Sequence, residues 1–352
     1  VNLTFTTNPG LEDVVRAEFT ERVAASVLAE REIVWPKANL KGRVPVAIDA
    51  TQAELHPIAL EMRSIHHVIR DLTAFALPAA DALAAIRRHL AGMDLPGLDA
   101  GTPFRVTSMR TGEHDFTSMD VQAAAGAGIQ ARTGAPVSLR EHRVHVEVDV
   151  VDDQCLVGLR WSERALSLRL RRPYERRVAL AANVAHALLR LAAVGDAPGR
   201  ILDPCCGTGT ILLEAGHLHP GIELVGSDSD DRSVEGAASN LEHYGMAQRS
   251  RILQADVRAL AELAHLGPFD AIVTNPPFGR RLGQRIDFRR FYREFLDGAR
   301  EVIHDNGRLV LLADRRGLFN SACRDSGRWH IRDVRIVELG GIHPGIFVLT
   351  PT

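Results

Sequence analysis

In the segment Ala271 to Gly279 a short apolar run leads directly into Asn275-Pro276-Pro277-Phe278. Both prolines lack an N–H and have fixed φ, so a strand must end there and the turn that follows is stiff. Asn275 then stands at the carboxyl end of a strand, where open α/β sheets place their ligands. Its amide oxygen, held beside the Pro276 carbonyl, suits hydrogen bonds from a planar NH₂ group. Phe278 offers a flat face to a heterocycle. Asn275, Pro276 and Phe278 are therefore expected to form the catalytic set of an enzyme that acts on the exocyclic amine of a nucleobase.

A second constellation lies upstream. Arg200 to Thr210 reads as a strand, then the loop Asp203-Pro204-Cys205-Cys206-Gly207-Thr208-Gly209, then a helix from Thr210. The glycines let the backbone pass close to a ligand. The third glycine of the dinucleotide fingerprint is missing and an acidic residue comes first. That favours a cofactor with a cationic amine and no pyrophosphate. The methionine part of S-adenosylmethionine (SAM) fits, with Asp203 near its ammonium group. Leu224 to Asp228 is the next strand, and its terminal carboxylate could hold the paired hydroxyls of a ribose. Ile252 to Asp256 again ends in a carboxylate, placed to accept from an adenine amine. Ser229 and Val257, which follow these two acids, complete the candidate cofactor set with Pro204, Cys205, Gly207, Thr208, Gly209, Thr210 and Asn275. A lone strand-end Asp is usually a helix cap. Three such acids and then Asn275, in order and with one helix between each pair, make a site. The Cys205-Cys206 pair reads as small residues in a tight loop, since no neighbouring base would activate a thiol.

Three regions of chain must position these groups. Residues 1–70 read as an N-terminal ferredoxin-like domain: a strand over Leu3 to Thr6, helical spacing from Gly10 to Phe19, a strand over Val44 to Asp49 and a helix from Gln52 to Ile69. Residues 71–165 repeat the mixed pattern. Asp81 is expected to cap a helix over Ala82 to Leu90. Phe104 to Met109 is a strand and Ser118 to Ala131 an Ala/Gly-rich helix. Val144 to Val151 and Gln154 to Trp161 form a hairpin over Asp152-Asp153. Residues 166–180 are a basic linker. From 181 to 352 strands alternate with helices, which predicts a doubly wound parallel sheet, closed by an antiparallel hairpin of Arg332 to Glu338 with Ile346 to Leu349.

Composition narrows the classes. A chain of 352 residues suits two or three domains, and 45% hydrophobic content can build their cores. Cys155, Cys205, Cys206 and Cys323 show no metal-ligand spacing, so neither zinc nor a disulfide framework is expected and the reduced cytoplasm is the natural compartment. No apolar run reaches membrane-spanning length, and the N-terminus lacks the layout of a signal peptide. The formal net charge is only -2, so nucleic-acid binding would need local patches. Lys37 and Lys41 are the only lysines; the other basic residues are arginines.

At these residues the C-terminal half resembles the Rossmann-like SAM-dependent methyltransferases: Asp203 to Thr210 is similar to their first motif, and Asn275-Pro276-Pro277-Phe278 to the signature of amino-group N-methylation. Phe104-Arg105-Val106-Thr107-Ser108 with Gly112 and Phe116-Thr117-Ser118, then the hairpin from Val144 to Trp161, resemble a THUMP domain. The combination is similar to the THUMP-domain-containing RNA N-methyltransferases, in particular the tRNA (guanine-N2)-methyltransferases of the TrmN type. The resemblance implies a fold of class α/β, with a Rossmann-like methyltransferase domain preceded by α+β ferredoxin-like and THUMP domains. It implies SAM as cofactor, tRNA as partner and substrate, and N2-methylguanosine in the acceptor stem as product, at position six. Relatives that act at position ten often carry Asp where Asn275 stands. One chain carries a complete site, so a monomer suffices.

Reaching a paired base requires extruding it, at a cost of about a few kcal/mol that phosphate contacts must offset. Arg280, Arg281, Arg285, Arg289, Arg290 and Arg293 follow the catalytic turn. Arg164, Arg169, Arg171, Arg172, Arg176 and Arg177 line the linker. Arg280, Arg281, Arg110, Arg172 and Arg177 are the candidate RNA contacts. Other readings remain open: methylation at tRNA position ten or in rRNA, a DNA adenine N6-methyltransferase, and a non-catalytic tRNA-binding factor with a methyltransferase-like fold. A nicotinamide oxidoreductase is disfavoured by the missing third glycine.

Overall fold

The computed structural model describes residues 1–37, 40–176, 179–194, 199–277 and 287–352. The chain divides into two compact units, one of residues 1–7 and 15–166 and one of residues 8–14 and 167–352.

The first unit contains β1 (Asn2–Thr6), α1 (Glu12–Ala24, its first turn grouped with the second unit), β2 (Ile33–Val34), β3 (Arg43–Ile48), α2 (Gln52–Leu60), β4 (His67–Ala76), α3 (Ala82–Gly92), β5 (Phe104–Thr107), β6 (Arg110–Thr111), α4 (Ser118–Thr133), β7 (Val144–Val151) and β8 (Gln154–Arg160). One sheet runs in the order β2-β3-β1-β4-β8-β7-β5, with β6 beside β7. β4 pairs antiparallel with β1 on one side and β8 on the other, so the two expected N-terminal domains share a strand. Phe5 and Phe19 anchor one apolar core, and Ile86, Phe104 and Ile129 another.

Along β7, Val146, Val148 and Val150 face the second of these cores. The alternate residues His145, Glu147 and Asp149 are buried as well, against the usual polar-out pattern. His145 Nε2 lies 2.8 Å from the Thr107 hydroxyl, and arginines satisfy the two acids. Arg43 of β3 bonds Asp149 at 2.7 Å, and Arg160 of β8 bonds Glu147. Burial raises the Glu147 carboxyl above its ordinary range, and the Arg160 charge pulls the other way.

Two expectations change here. The helix from Gln52 ends at Leu60, because the Arg63 and Ser64 amides donate to the Glu18 carboxylate at 2.8 and 2.9 Å, and His67 to Ile69 belong to β4. Asp81 stands at the start of α3 with φ 58° and makes no capping bond from its side chain. The helix from Ser118 is capped instead by a reciprocal pair of Thr117 and Asp120.

The second unit contains α5 (Ala182–Ala192), β9 (Arg200–Asp203), α6 (Thr210–Leu218), β10 (Glu223–Asp228), α7 (Asp231–His243), β11 (Ser250–Gln254), a 3₁₀ segment (Val257–Leu266), β12 (Phe269–Thr274), α8 (Phe288–Val302), β13 (Ile303–Ala313), α9 (Arg316–Ser326), β14 (Trp329–Ile336) and β15 (Gly345–Pro351). The sheet order is β11-β10-β9-β12-β13-β15-β14. The first five strands are parallel, and β15 runs antiparallel to β13 and β14. Both faces are apolar, as a covered parallel sheet requires. Ile201, Ala271, Val273 and Val310 pack under α5, α6 and α7. Leu202, Ile272, Leu309 and Leu311 pack under the 3₁₀ segment, α8 and α9. This is the doubly wound parallel sheet, closed by an antiparallel hairpin, that the alternating pattern predicts. Strand order reverses between β9 and β12, which makes their carboxyl ends the topological switch point.

Candidate active site

Four adjacent parallel strands, β11, β10, β9 and β12, end in the polar groups singled out above. At the switch point Asp203 closes β9 and Thr274 closes β12. The Thr274 hydroxyl donates to Asp203 Oδ1 at 2.8 Å, and the Cys205 amide donates to the same oxygen at 3.2 Å. Both side chains are buried. The bond ties the base of the first loop to the strand that carries Asn275. Thr274 is a site residue missed in sequence; only its place beside Asn275 hinted at it.

Asp203 has no cationic partner among the described residues. Burial pushes its carboxyl up to about 7, opposed by the bonds from Thr274 and Cys205. A buried carboxylate without a counter-cation fits a ligand that brings positive charge. Pro204 is buried and Cys205 half-buried. Burial, then the charges of Asp203 and Asp228, push the Cys205 and Cys206 thiols well above their ordinary range, so neither serves as a nucleophile.

The loop itself needs its glycines. Gly207 has φ +54° and Gly209 φ +76°. The Gly207 amide donates to Asp228 Oδ2 at 2.9 Å, and the Asp230 amide to Asp228 Oδ1 at 3.0 Å. Each carboxylate oxygen of Asp228 keeps a lone pair for a further donor. Thr208 and Thr210 are buried, with their hydroxyls 3.1 Å apart. Ser229 is exposed beside Asp228, and Val257 is buried among the apolar residues of the 3₁₀ segment. Asp256 is more committed than expected. Arg258 Nε lies 3.0 Å from both of its oxygens, and the Arg258 amide donates at 2.9 Å. Those contacts with Arg258 hold the Asp256 carboxyl below its usual range.

Asn275 is half-buried, and its Oδ1 is fully buried with no hydrogen-bond partner among the described residues. Buried amide oxygens are almost always satisfied, so an orphan acceptor at this strand end suits a donor from outside the chain. Pro276 beside it is buried. Phe278, Arg280, Arg281 and Arg285 lie outside the described residues, as does Arg177 in the linker.

The remaining candidate RNA contacts are placed differently. Arg110 donates to the Gly112 carbonyl at 3.1 Å and lies 2.9 Å from His114 Nδ1, both within its own loop. The expectation for Arg172 is corrected. Its side chain is only 9% exposed, and its nitrogens bond Glu175, Thr208 and Thr210, which leaves little for a phosphate. An unanticipated feature is Arg315, exposed just beyond β13, with its guanidinium 4.5 Å above the Phe288 ring. Among the described residues no cluster of His, Cys, Asp or Glu could hold a metal ion, and no helix is long and apolar enough to cross a membrane.

Comparison with known proteins agrees with this geometry. Residues 169–344 match the RMKL-like methyltransferase domain model, and residues 85–160 the THUMP domain model. The chain is 35% identical over 347 residues to the tRNA (guanine(6)-N2)-methyltransferase of Thermus thermophilus, covering 98% of each. It is 32% identical over 207 residues to the tRNA (guanine(10)-N2)-dimethyltransferase of Methanothermobacter thermautotrophicus, covering 56% of this chain and 59% of that one. The crystal structure of TrmN from Thermus thermophilus superposes with a TM-score of 0.81 at 33% identity, over 100% of this chain and 99% of the other. The chain therefore belongs to the THUMP-domain-containing, SAM-dependent RNA N-methyltransferases, the tRNA (guanine-N2)-methyltransferases of the TrmN type.

Proposed function

We propose that this enzyme methylates the N2 amine of the guanosine at position six of tRNA. The observation that carries the reading is the orphaned Asn275 Oδ1 at the switch point. The N2 amine is a poor nucleophile because its lone pair is delocalised into the ring. With Asn275 Oδ1 and the Pro276 carbonyl accepting its two N–H bonds, the lone pair is turned out of the ring and the positive charge growing on nitrogen is stabilised. The strand end and the paired prolines fix this acceptor before the substrate arrives. Bound SAM supplies a methyl group already activated as a sulfonium. Asp203, Asp228 and the glycine loop are the residues proposed to hold it, with Asp256 sharing its carboxylate between Arg258 and the adenine amine. Among the described residues no dedicated base stands beside Asn275; the proton can leave to solvent after transfer.

Position six is favoured over position ten by Asn rather than Asp at residue 275 and by the near-complete coverage of the relative that acts at guanine six. We further propose an N-terminal ferredoxin-like domain over residues 1–70, a THUMP domain over 71–165 that binds the tRNA, a basic linker over 166–180 and a methyltransferase domain over 181–352, acting in the cytoplasm, where a monomer suffices for a complete site. The test is incubation with labelled SAM and unmodified tRNA transcripts, nuclease digestion and mass spectrometry of the nucleosides. N2-methylguanosine mapped to position six is the expected outcome. Label at position ten would move the assignment to the other relative's reaction, and N6-methyladenine in DNA would overturn it.

A further inference from the structure

The segment from Arg169 to Arg176 is rich in arginine, and from sequence it reads as an RNA-binding strip. In the structure Arg169, Arg172 and Arg176 turn their guanidinium groups to partners inside the methyltransferase unit, while the Arg171 side chain is exposed. Arg169 makes a two-pronged bond to Glu214 of α6, at 3.0 and 2.7 Å, and Glu214 is fully buried. The Arg171 amide donates to the Tyr244 hydroxyl at 2.7 Å. Arg172 Nη1 donates to Thr208 Oγ1 at 3.1 Å and also to Thr210 Oγ1, while its Nε and Nη2 are braced by Glu175 at 2.8 and 3.0 Å. These two threonines flank Gly209, so the guanidinium clasps the glycine loop from both sides of its left-handed residue.

Asn240 stitches the same segment to the same loop. Its Oδ1 accepts from the Tyr174 amide, and its Nδ2 donates to the carbonyls of Tyr174 and Thr208, each at 2.9 Å. Asn240 is completely buried. Two residues on, Arg176 donates to Ser233 Oγ at 2.6 Å and pairs with Asp230 at 3.2 Å. Asp230 is the residue whose amide holds the Asp228 carboxylate. The segment thus grips two of the loops that carry the cofactor candidates, the glycine loop through Arg172 and the Asp228 turn through Arg176. The helix beneath it is cut away to admit it: a Cβ at Gly236 of α7 would lie 2.1 Å from the Tyr174 ring.

We propose that residues 169–176 form a strap that holds the two cofactor loops in their binding shape, with Arg172 and Arg176 as positioning residues for SAM rather than contacts for RNA. The proposal rests on the assignment of the glycine loop and Asp228 to the cofactor. Charge-assisted hydrogen bonds of this kind are the strong ones, and a loop left to find its own conformation binds more weakly.

The test uses the full chain with Arg172→Ala, Arg172→Lys and Gly236→Ala. It reads S-adenosylhomocysteine affinity by calorimetry, tRNA affinity by filter binding, and kcat at saturating SAM. Arg172→Ala is expected to weaken S-adenosylhomocysteine by about tenfold to a hundredfold, with tRNA affinity unchanged and saturating kcat within about threefold. Arg172→Lys keeps the charge without the fork and falls between. Gly236→Ala changes no polar partner and improves intrinsic helix propensity, yet by pushing Tyr174 aside it is expected to cost about fivefold or more in the same affinity. Should Arg172→Ala fail to fold, the other two variants decide. S-adenosylhomocysteine affinity within twofold of the parent in Gly236→Ala and Arg172→Lys would overturn the strap, as would a loss of tRNA affinity with cofactor affinity intact. A parent protein that does not bind S-adenosylhomocysteine would instead sink the cofactor assignment, and the strap with it.

Discussion

Asn275 and Asp203 both carry a cost in the folded chain that the proposed ligands would offset. The Asn275 oxygen is buried without a partner. An unsatisfied buried acceptor costs about 1–3 kcal/mol. Asn275→Ala is therefore expected to be at least as stable as the parent by chemical denaturation, with cofactor affinity within a few-fold, while kcat falls by at least about a hundredfold. Near-normal turnover would remove Asn275 from the mechanism. Asp203 makes the second case. Its carboxyl is pushed from 3.8 to about 7 by burial, so the folded state binds its proton more tightly than the unfolded state does. Its share of stability is full below the unfolded value and is lost as pH rises through about 7. Asp203→Asn keeps an acceptor for Thr274 and Cys205 and cannot ionise. At pH 8 the apo variant should exceed the parent in stability by an amount on the order of a few kcal/mol, with the gap closing toward pH 4. With its proposed ammonium partner lost, cofactor affinity should drop by about tenfold in the same variant. A stability gap that does not vary with pH would show that Asp203 ionises normally.

At the scale of elements, the parts legible in sequence were those whose determinants are local. The strand ends at Asp203, Asp228 and Asn275 were visible because each closes a short β-branched or aliphatic run, and the tandem prolines mark a stop that no helix or strand can cross. β4 was hidden: apolar residues at Met62, Ile65, Ile69 and Leu72 mimic helical spacing, and what ends α2 is the Glu18 carboxylate, far away in sequence. The strap was hidden for the same reason, since the meaning of Arg172 depends on Thr208 and that of Tyr174 on Gly236 and Asn240. β7 was legible only as one arm of a hairpin. Its acids Glu147 and Asp149 are buried against Arg160 and Arg43. Removing one partner of such a pair leaves an uncompensated charge. Arg43→Ala should thus destabilise the first unit by about 3 kcal/mol in urea unfolding, with the effect much reduced in the double variant Arg43→Ala, Asp149→Ala. Additive losses would mean that the two side chains act independently.

For the whole molecule, the order of the chain is a poor guide to which residues share a core. The methyltransferase unit is built from residues 167–352 together with 8–14. Leu11 is fully buried and Val14 nearly so in the apolar cluster that also holds Val184, Leu188 and Ile346. The Asn8 side chain donates to the Glu338 carbonyl and accepts from Asn183, at 2.9 and 2.8 Å, and Asp13 pairs with Arg335 at 2.7 Å. Gly10 has φ +98°, and a Cβ there would lie 2.0 Å from the Ile336 carbonyl oxygen. A cut at a sequence-derived domain boundary would strip this segment from the unit it completes, so a catalytic fragment starting near residue 167 is expected to be less stable than the same residues in the full chain. The segment can be tested without any cut. Leu11→Ala in the full chain removes a buried side chain and should cost about 3 kcal/mol. Hydrogen exchange read segment by segment should lose protection in β9, β12 and β15, while β1, β7 and β8 stay as they were, because units that unfold separately report separately. Protection lost only in the N-terminal strands would place Leu11 in the other core and return the methyltransferase unit to residues 167–352 alone.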